Sequence, residues 1–551
     1  MDGFNLVCAT ASGTYVDLVV PELRDRGRLL EPSGDAMLGA RLHGAAAGPG
    51  SVTATRLPAS GNSPSGSVNQ PERDSFHSFP IGLLGKLLTV VEEEGEDDEA
   101  DASLHPHAAS PGTASSSAPR PEGRRHDHST ELQRQPQPHE AGEGIPVKAD
   151  EVTDTATEQA DWLHIAREIA DDLATDAAER EQAAKAPLDE VARLRESGLL
   201  TLSAPADLGG GGADWRTAYA VIRTVAAADG AIGHLLGNHY FLSRSARFFA
   251  DRARAARIDR ESTAGQWCWG GGIASHEPPL ILTPTSGGYL LNGYQRYATG
   301  VGIADRLVVR AARYGTGEPW AVLVDPARPG VVGGSGGDSF GQRLAAGGGV
   351  EFESVLVAAD DVLGTLSPDE SVLSPFASLA APTARLVSVQ FCLGVAEGLL
   401  AEVRECGRGM RSSWQPFSPQ PWPDSPPQDP HALTVYGELT VVARAASALA
   451  EQAVDALVHG LVRGEDLDFE ECAEIAVLAS VAESAASRAA QEITTRALDV
   501  IGADAASARH GFDRFWRNAR THTLREPVAH RLREVGDYFL NGAHPPFALP
   551  A

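Results

Sequence analysis

Apolar residues recur every three or four positions from Trp162 onward. Trp162, Ile165, Ala166, Ile169 and Leu173 share one helical face, and Leu188, Val191 and Leu194 repeat the spacing before Gly198. The Ala-rich stretch Ala218–Ala250 predicts further helix. Between about Gln266 and Val362 the pattern changes to strands. Tyr289–Leu291 and Tyr294–Ala298, on either side of Asn292-Gly293, predict a hairpin about an Asn-Gly turn. Leu307–Ala311, Ala321–Val324 and Val350–Val357 predict more strands, the last with Val350, Phe352, Val355 and Val357 in imperfect alternation. After Phe376 long Ala/Leu/Val-rich helices are predicted over Ala384–Cys406, Leu433–Val462 and Phe469–Ile501. Helices, a small β-domain and a helix bundle in that order exclude a doubly wound sheet, which needs regular β-α alternation. The Gly-rich run Gly333–Gly349 lacks strand–loop–helix logic, so it is read as a mobile connection rather than a phosphate cradle.

The chain before residue 145 has a different texture. Residues 44–144 are rich in Gly, Pro, Ser and His, with an acidic run Glu92–Asp101, a basic stretch around Arg124–His128 and one apolar island, Ile81–Val91. Such a segment buries too little apolar surface to offset its ordering entropy and reads as a disordered linker. His105, His107, His126 and His128 have neither cysteine partners nor regular ligand spacing, so no metal site is assigned.

With 551 residues the chain has room for two or three domains. Its 46 Lys+Arg against 74 Asp+Glu give a net charge of −28, which argues against a partner that is nucleic acid or an anionic membrane surface. No apolar run is expected to reach the ~18–20 residues of a membrane span. The Met1 end shows no basic stretch followed by a long apolar one, so no secretory signal is expected. Cys8, Cys268, Cys392, Cys406 and Cys472 are scattered and form no CxxC pair, which points to a reducing, cytoplasmic setting without structural zinc.

The most specific stretch lies near the C-terminus. Gly511-Phe512-Asp513-Arg514-Phe515-Trp516-Arg517-Asn518-Ala519-Arg520-Thr521-His522-Thr523-Leu524 resembles the C-terminal signature of flavin monooxygenases built on the acyl-CoA dehydrogenase fold, the dibenzothiophene monooxygenase and SfnB-like family. Leu199–Asp214, Ala226–His234, Tyr289–Gly300 and Val535–Gly542 match the same family in order, so the resemblance covers about residues 145–551. It implies an N-terminal helical domain (145–265), a barrel-like β-domain (266–370) and a C-terminal four-helix bundle (371–551). A second resemblance lies in Asp2–Leu6, Tyr15–Leu23 and Arg26-Gly27. These are similar to the C-terminal tail of nitrilotriacetate-type luciferase-like monooxygenases, which makes residues 1–43 a remnant, with a docking element as the other reading, without a flavin site of its own.

The main resemblance implies a two-component enzyme of sulfur metabolism or N-hydroxylation. Reduced FMN (FAD is the other possibility), supplied by a separate NAD(P)H:flavin reductase, reacts with O2 to form a C4a-hydroperoxyflavin. One oxygen atom then passes to a small sulfur- or nitrogen-containing substrate. The flavin carries the difficult chemistry; the protein excludes water and donates hydrogen bonds. By the same resemblance His522 stands at the flavin face, His234 near substrate and flavin, and Thr299 near flavin N5. Ile273, Ala274, Ser275, His276 and Glu277, together with Gln295, Arg296, Tyr297, Ala298 and Thr299, line the flavin wall, and Trp267 and Trp269 either cover the ring or pack in the core. His239 is turned about 140° from His234 on one helix and reads as packing. A homotetramer, a dimer of dimers with the bundle at the interface, is implied as well.

Several positions depart from the family's pattern. Asn238 replaces a tyrosine, Ile273 an asparagine that holds the peroxide, and Arg525 the second histidine of the Thr521-His522-Thr523-Leu524-Arg525-Glu526-Pro527 run. Phosphate-binding arginines fall at Ser412, beside Arg411, and at Asp504 after Ile501-Gly502-Ala503; a carboxylate there repels a phosphate. Two other readings remain open. Arg517-Asn518-Ala519-Arg520 followed by Glu526 resembles the layout of acyl-CoA dehydrogenases, with Glu526 as the base. The lost flavin contacts also suit a catalytically degenerate subunit or scaffold.

Overall fold

The computed structural model describes residues 149–273, 279–334, 339–369, 371–409, 430–525, 527–547 and 549. The segments that the sequence reads as a remnant and a linker, with the His cluster, lie outside the described residues, as do Ala274, Ser275, His276, Glu277, Arg411, Ser412 and Glu526.

Six helices lead the fold: α1 (Ala149–Ala174), α2 (Ala177–Ala183), α3 (Leu188–Glu196), α4 (Trp215–Ala228), α5 (Gly230–Phe249) and α6 (Arg252–Gly265). Strands β1 (Trp269–Gly272), β2 (Leu280–Thr285), β3 (Gly288–Ala298), β4 (Arg306–Arg313), β5 (Pro319–Val324), β6 (Val331–Gly333), β7 (Gly348–Val357) and β8 (Val362–Thr365) come next. They form one sheet in the order β6-β7-β3-β2-β4-β5-β8, with β1 added parallel to β4. The chain then returns to helix: α7 (Pro375–Ser378), α8 (Ala380–Gly409), α9 (Pro430–Arg463), α10 (Phe469–Arg496), α11 (Asp513–Arg525) and α12 (Val528–Asn541). This is the helix–sheet–helix order that the sequence resemblance implies.

Two sequence expectations are corrected. Asn292-Gly293 is not a hairpin turn, because β3 runs straight through it as one 11-residue strand. Gly293 uses φ +128° to make a bulge in the β3–β7 ladder, and Asn292 Oδ1 accepts from Ser354 N at 2.8 Å. The hairpin joins β2 to β3 instead, across Ser286-Gly287. Within the Gly-rich run, Gly341–Ala346 is a packed turn, with Gln342, Leu344 and Ala345 buried.

Pro375–Arg408, which spans α7 and α8, is long and apolar enough by composition to cross a membrane, unlike the sequence expectation. Most of its apolar window is buried, and α4, α5, α9, α10 and α11 pack around α8, so its hydrophobicity is that of a core helix. Buried charge ties the bundle together. Arg385 on α8 donates to Ser480 Oγ at 2.8 Å and meets Glu534 of α12 at 3.1 Å; Arg531 of α12 lies 3.3 Å from Glu483 of α10. Burial pushes the Glu483 carboxyl up while Arg385 and Arg531 pull it down. Removing one member would leave an unpaired buried charge.

The start of α5 is fixed by one carboxylate. Asp229 ends α4 and caps α5, accepting from Ala231 N at 3.0 Å and Ile232 N at 3.1 Å. Arg180 on α2 donates to the same carboxylate at 2.8 Å, so one buried side chain terminates one helix, starts the next and anchors a third. Asp229→Ala is expected to destabilise the fold by about 2 kcal/mol, the upper range for a lost cap, because a buried ion pair goes with it. Denaturant unfolding followed by helical circular dichroism measures this, and an unchanged midpoint would remove the cap from the account.

Candidate active site

Three glycines on one face of α5 let it approach its neighbours. A Cβ at Gly233 would lie 2.5 Å from the Ala226 Cβ, one at Gly237 2.6 Å from Val387, and one at Gly230 2.9 Å from Val395 and 3.0 Å from Asn518. The backbone of α5 therefore lies tight against α4, α8 and α11, and His234 is carried into the seam. There the His234 ring meets Phe391 of α8 at 5.5 Å and His522 of α11 at 5.8 Å between centroids. Phe391 and His522 are 5.0 Å apart, so the three rings form one cluster.

The fourth side comes from the sheet. Gly271 on β1 and Thr299 just after β3 exchange backbone hydrogen bonds of 2.8 and 2.9 Å, which brings Thr299 Oγ1 to 3.3 Å from His234 Nε2. Asn238, one turn along α5, donates through Nδ2 to His234 O at 2.9 Å, and the same nitrogen lies 3.2 Å from Nε2. An amide NH2 only donates, so Nε2 accepts and the ring proton is assigned to Nδ1. His522 makes no hydrogen bond among the described residues, which leaves its ring nitrogens free for a ligand.

Burial makes both imidazoles neutral. It pushes His522 down to about 4, with the Arg525 charge adding to the effect. His234 is held well below its usual value by burial, then by His522 and Arg525. Arg525 ends α11 with its guanidinium 5.5 Å from the centre of the Tyr297 ring on β3. His239 is also pushed down to about 4 by burial, but both its nitrogens are used: Nε2 donates to Leu200 O at 2.7 Å and Nδ1 accepts from Trp269 N at 3.1 Å. It is a satisfied core histidine. Trp269 is equally committed, fully buried and donating to Ser262 Oγ at 2.8 Å, while Trp267 lies under the Arg306 guanidinium.

The turn Gly341–Ala346 fastens α11 to the sheet. Gln342 N donates to Asn518 Oδ1 at 2.6 Å, Arg517 donates to Phe340 O at 2.9 Å, and Ala345 O accepts from Gly300 N at 2.9 Å. Gly341 lies against the Arg517 carbonyl so closely that any Cβ would collide with it. Gln342, only 5% exposed, holds φ +55° while neither polar atom of its side chain finds a partner. Thr521 Oγ1 and Gln295 Oε1 are likewise buried without partners, although Gln295 Nε2 donates to Gly272 O at 2.8 Å. Unpartnered buried polar atoms are costly, so water or a ligand completes their hydrogen bonding.

Among the sequence-predicted residues, then, the structure gathers His234, Asn238, Thr299, Tyr297, His522 and Arg525, with Gln295 and Ala298 on the adjoining strand. Ile273 is buried in the main hydrophobic core and offers no donor. Arg296 is exposed. Ala503 and Asp504 are exposed on a short turn near Cys406, at the far end of α8. Phe391 and Cys406 are separated by fifteen helical residues, about 22 Å, so within one chain those two do not join the histidine pair. Phe391, Gln342 and Thr521 went unnoticed in sequence: Phe391 reads as one more apolar residue of a core helix, and no local pattern announces an unpartnered glutamine. Two open grooves elsewhere, of about 880 and 670 Å³, contain neither His234 nor His522.

Comparison with known proteins gives the family and the fold. Residues 156–252 match the family model "Acyl-CoA dehydrogenase, N-terminal domain" and residues 386–527 match "Acyl-CoA dehydrogenase, C-terminal domain". Dibenzothiophene monooxygenase of Rhodococcus erythropolis is 34% identical over 400 residues, covering 70% of this chain and 94% of that protein. The probable FMNH2-dependent monooxygenase SfnC of Pseudomonas putida is 31% identical over 384 residues, covering 70% of this chain and 95% of its own length. The FMN-bound crystal structure of TdsC from Paenibacillus sp. A11-2 superposes with a TM-score of 0.66 at 32% identity, over 71% of this chain and 99% of that one. The chain belongs to the dibenzothiophene monooxygenase family, flavin monooxygenases built on the acyl-CoA dehydrogenase fold.

Proposed function

We propose that this chain is a reduced-FMN-dependent monooxygenase that transfers one oxygen atom from O2 to a small sulfur- or nitrogen-containing compound. The observation that carries the reading is the seam itself, where two neutral imidazoles, a hydroxyl and an amide meet between α5, α11 and the sheet.

These residues fit FMN. A flat heteroaromatic ring with a polar edge needs donors and acceptors along one side and apolar cover around the rest. Gln295, Gln342, Thr521 and Thr299 supply the first, and Phe391 with the surrounding core supplies the second. Bound and reduced, FMN supplies the activation of O2 and the transfer of oxygen. The chain's part is to hold and shield. His522 offers an uncommitted ring N–H, His234 is oriented by Asn238 and Thr299, and the packed glycine seam excludes water.

The protein acts with a separate NAD(P)H:flavin reductase, since the sequence carries no dinucleotide fingerprint. A cytoplasmic enzyme agrees with the four free cysteines among the described residues. A homotetramer is supported by apolar side chains left uncovered on α9 and α12, Phe539 at 85% and Leu540 at 77% exposure foremost.

His522→Ala is expected to reduce oxygen transfer by about 100-fold or more, the usual scale for a lost proton donor, with the fold intact. In that variant the bound flavin should reoxidise at the free-solution rate when mixed with O2 in a stopped-flow spectrometer. The loss should exceed that in Glu526→Gln; the reverse order would favour a dehydrogenase with Glu526 as base.

The depressed histidines also set a pH dependence. A group whose folded pKa lies below its unfolded value takes up its proton later in the folded state, so the unfolded chain binds more protons between about 6.5 and about 4. Stability should therefore fall as pH drops through that window and be level above it. In His522→Asn the fall should be shallower, with the remainder belonging to His234 and His239. Equal slopes in denaturant titrations of the two proteins would show that His522 is not buried as a neutral ring.

A further inference from the structure

Arg525 is half-buried and, like Arg310 and Arg313, lacks the carboxylate that the best-buried arginines of the fold meet. Arg180 meets Asp229, Arg244 meets Asp259, Arg385 meets Glu534, Arg517 meets Glu181 and Arg514 meets Glu402. Among the described residues Arg525 has no carboxylate within ion-pair distance, only the ring of Tyr297. In a chain with a net charge of −28 this is a local arrangement, not a shortage of acids. A guanidinium stays charged at physiological pH, and withdrawing it from water is unfavourable unless an opposite charge meets it. The position is telling as well. Arg525 lies three residues beyond His522, about 4.5 Å along the helix axis, and its charge is felt by both histidines of the seam.

We propose that Arg525 is the receptor for an acidic group on the substrate, so that the compound oxidised carries a carboxylate, sulfinate or sulfonate beside its reacting sulfur or nitrogen. This deepens the monooxygenase reading and rests on it. The guanidinium fork matches two oxygens of such a group, and the Tyr297 ring lies against the fork. Anchored there, the acid holds the rest of the substrate within one helical turn of His522. A phosphate offers the same oxygens, so the flavin's own phosphate is the rival source of the anion, and the experiment separates the two.

The test uses the full chain loaded with FMN and two probes of nearly the same shape but different charge, (phenylthio)acetate and its neutral counterpart (phenylthio)acetamide. Calorimetric titration is expected to show the acid binding about tenfold or more tightly than the amide. Arg525→Gln should erase that preference, and Arg525→Lys should retain part of it, since an ammonium keeps the charge without the fork. Equal binding of acid and amide, no binding of the acid, or a preference that survives Arg525→Gln would overturn the proposal. So would a loss of affinity in Arg525→Gln for FMN but not for riboflavin with no acid preference in the unsubstituted chain, which would assign the guanidinium to the flavin phosphate. FMN is titrated first. Failure of the unsubstituted chain to bind it would remove the monooxygenase reading and this proposal with it, whereas FMN binding without acid preference would remove the proposal alone.

Discussion

The close approach of α5 to α4, α8 and α11 is the constraint on which the rest depends. It needs Gly230, Gly233 and Gly237 on one helical face, because a methyl group at any of them would meet backbone or a buried side chain within 3 Å. Glycine in a helix interior costs roughly 1 kcal/mol per residue relative to alanine, so Gly233 and Gly237 are retained against helix propensity. Asp229 offsets part of that cost by capping the helix, and Arg180 holds the cap in register with the N-terminal helices. With α5 so placed, His234 has nowhere to go but the seam shared with Phe391 and His522.

Low polarity in that seam decides the protonation states. Both histidines are neutral at pH 7 because burial penalises the imidazolium and Arg525 repels it. A neutral ring donates through one nitrogen and accepts through the other, which suits a site that must stabilise a polar group without importing a mobile proton. The contrast with His239 is instructive. It is equally depressed, yet both its nitrogens are consumed by backbone partners, so its role is to join Leu200 and Trp269 rather than to meet a ligand. A shifted titration is therefore no sufficient mark of function; what separates His522 from His239 is an uncommitted ring.

Several features are legible in the chain alone. The order of helix, strand and helix comes from hydrophobic period, since a 3.6-residue repeat and an alternating one bury different faces. The run from Gly511 to Leu524 carries the family, and with it His522. Other features mislead for identifiable reasons. Asn292-Gly293 has the composition of a tight turn, but the same positive φ serves a bulge, and only the facing strand β7 selects between them. The Gly-rich run looks loose because glycine loosens an isolated chain; at Gly341 the missing side chain instead permits contact with the Arg517 carbonyl. The expectation of no membrane-length apolar run fails as well: Pro375–Arg408 is one by composition, and the bundle buries most of it.

The sequence by itself determined the fold class, the family and the candidate histidines His234 and His522, because these depend on side-chain chemistry and on spacing along the chain. Tertiary structure alone decided which polar groups lack partners. Gln342 and Thr521 are ordinary residues in sequence and become unpartnered only where the β-domain turn closes on α11; Arg525 becomes an unpaired charge only because Tyr297, and no described carboxylate, lies opposite it. Pairing of buried groups is a long-range property. It is settled by which elements meet, and local sequence carries no record of that meeting.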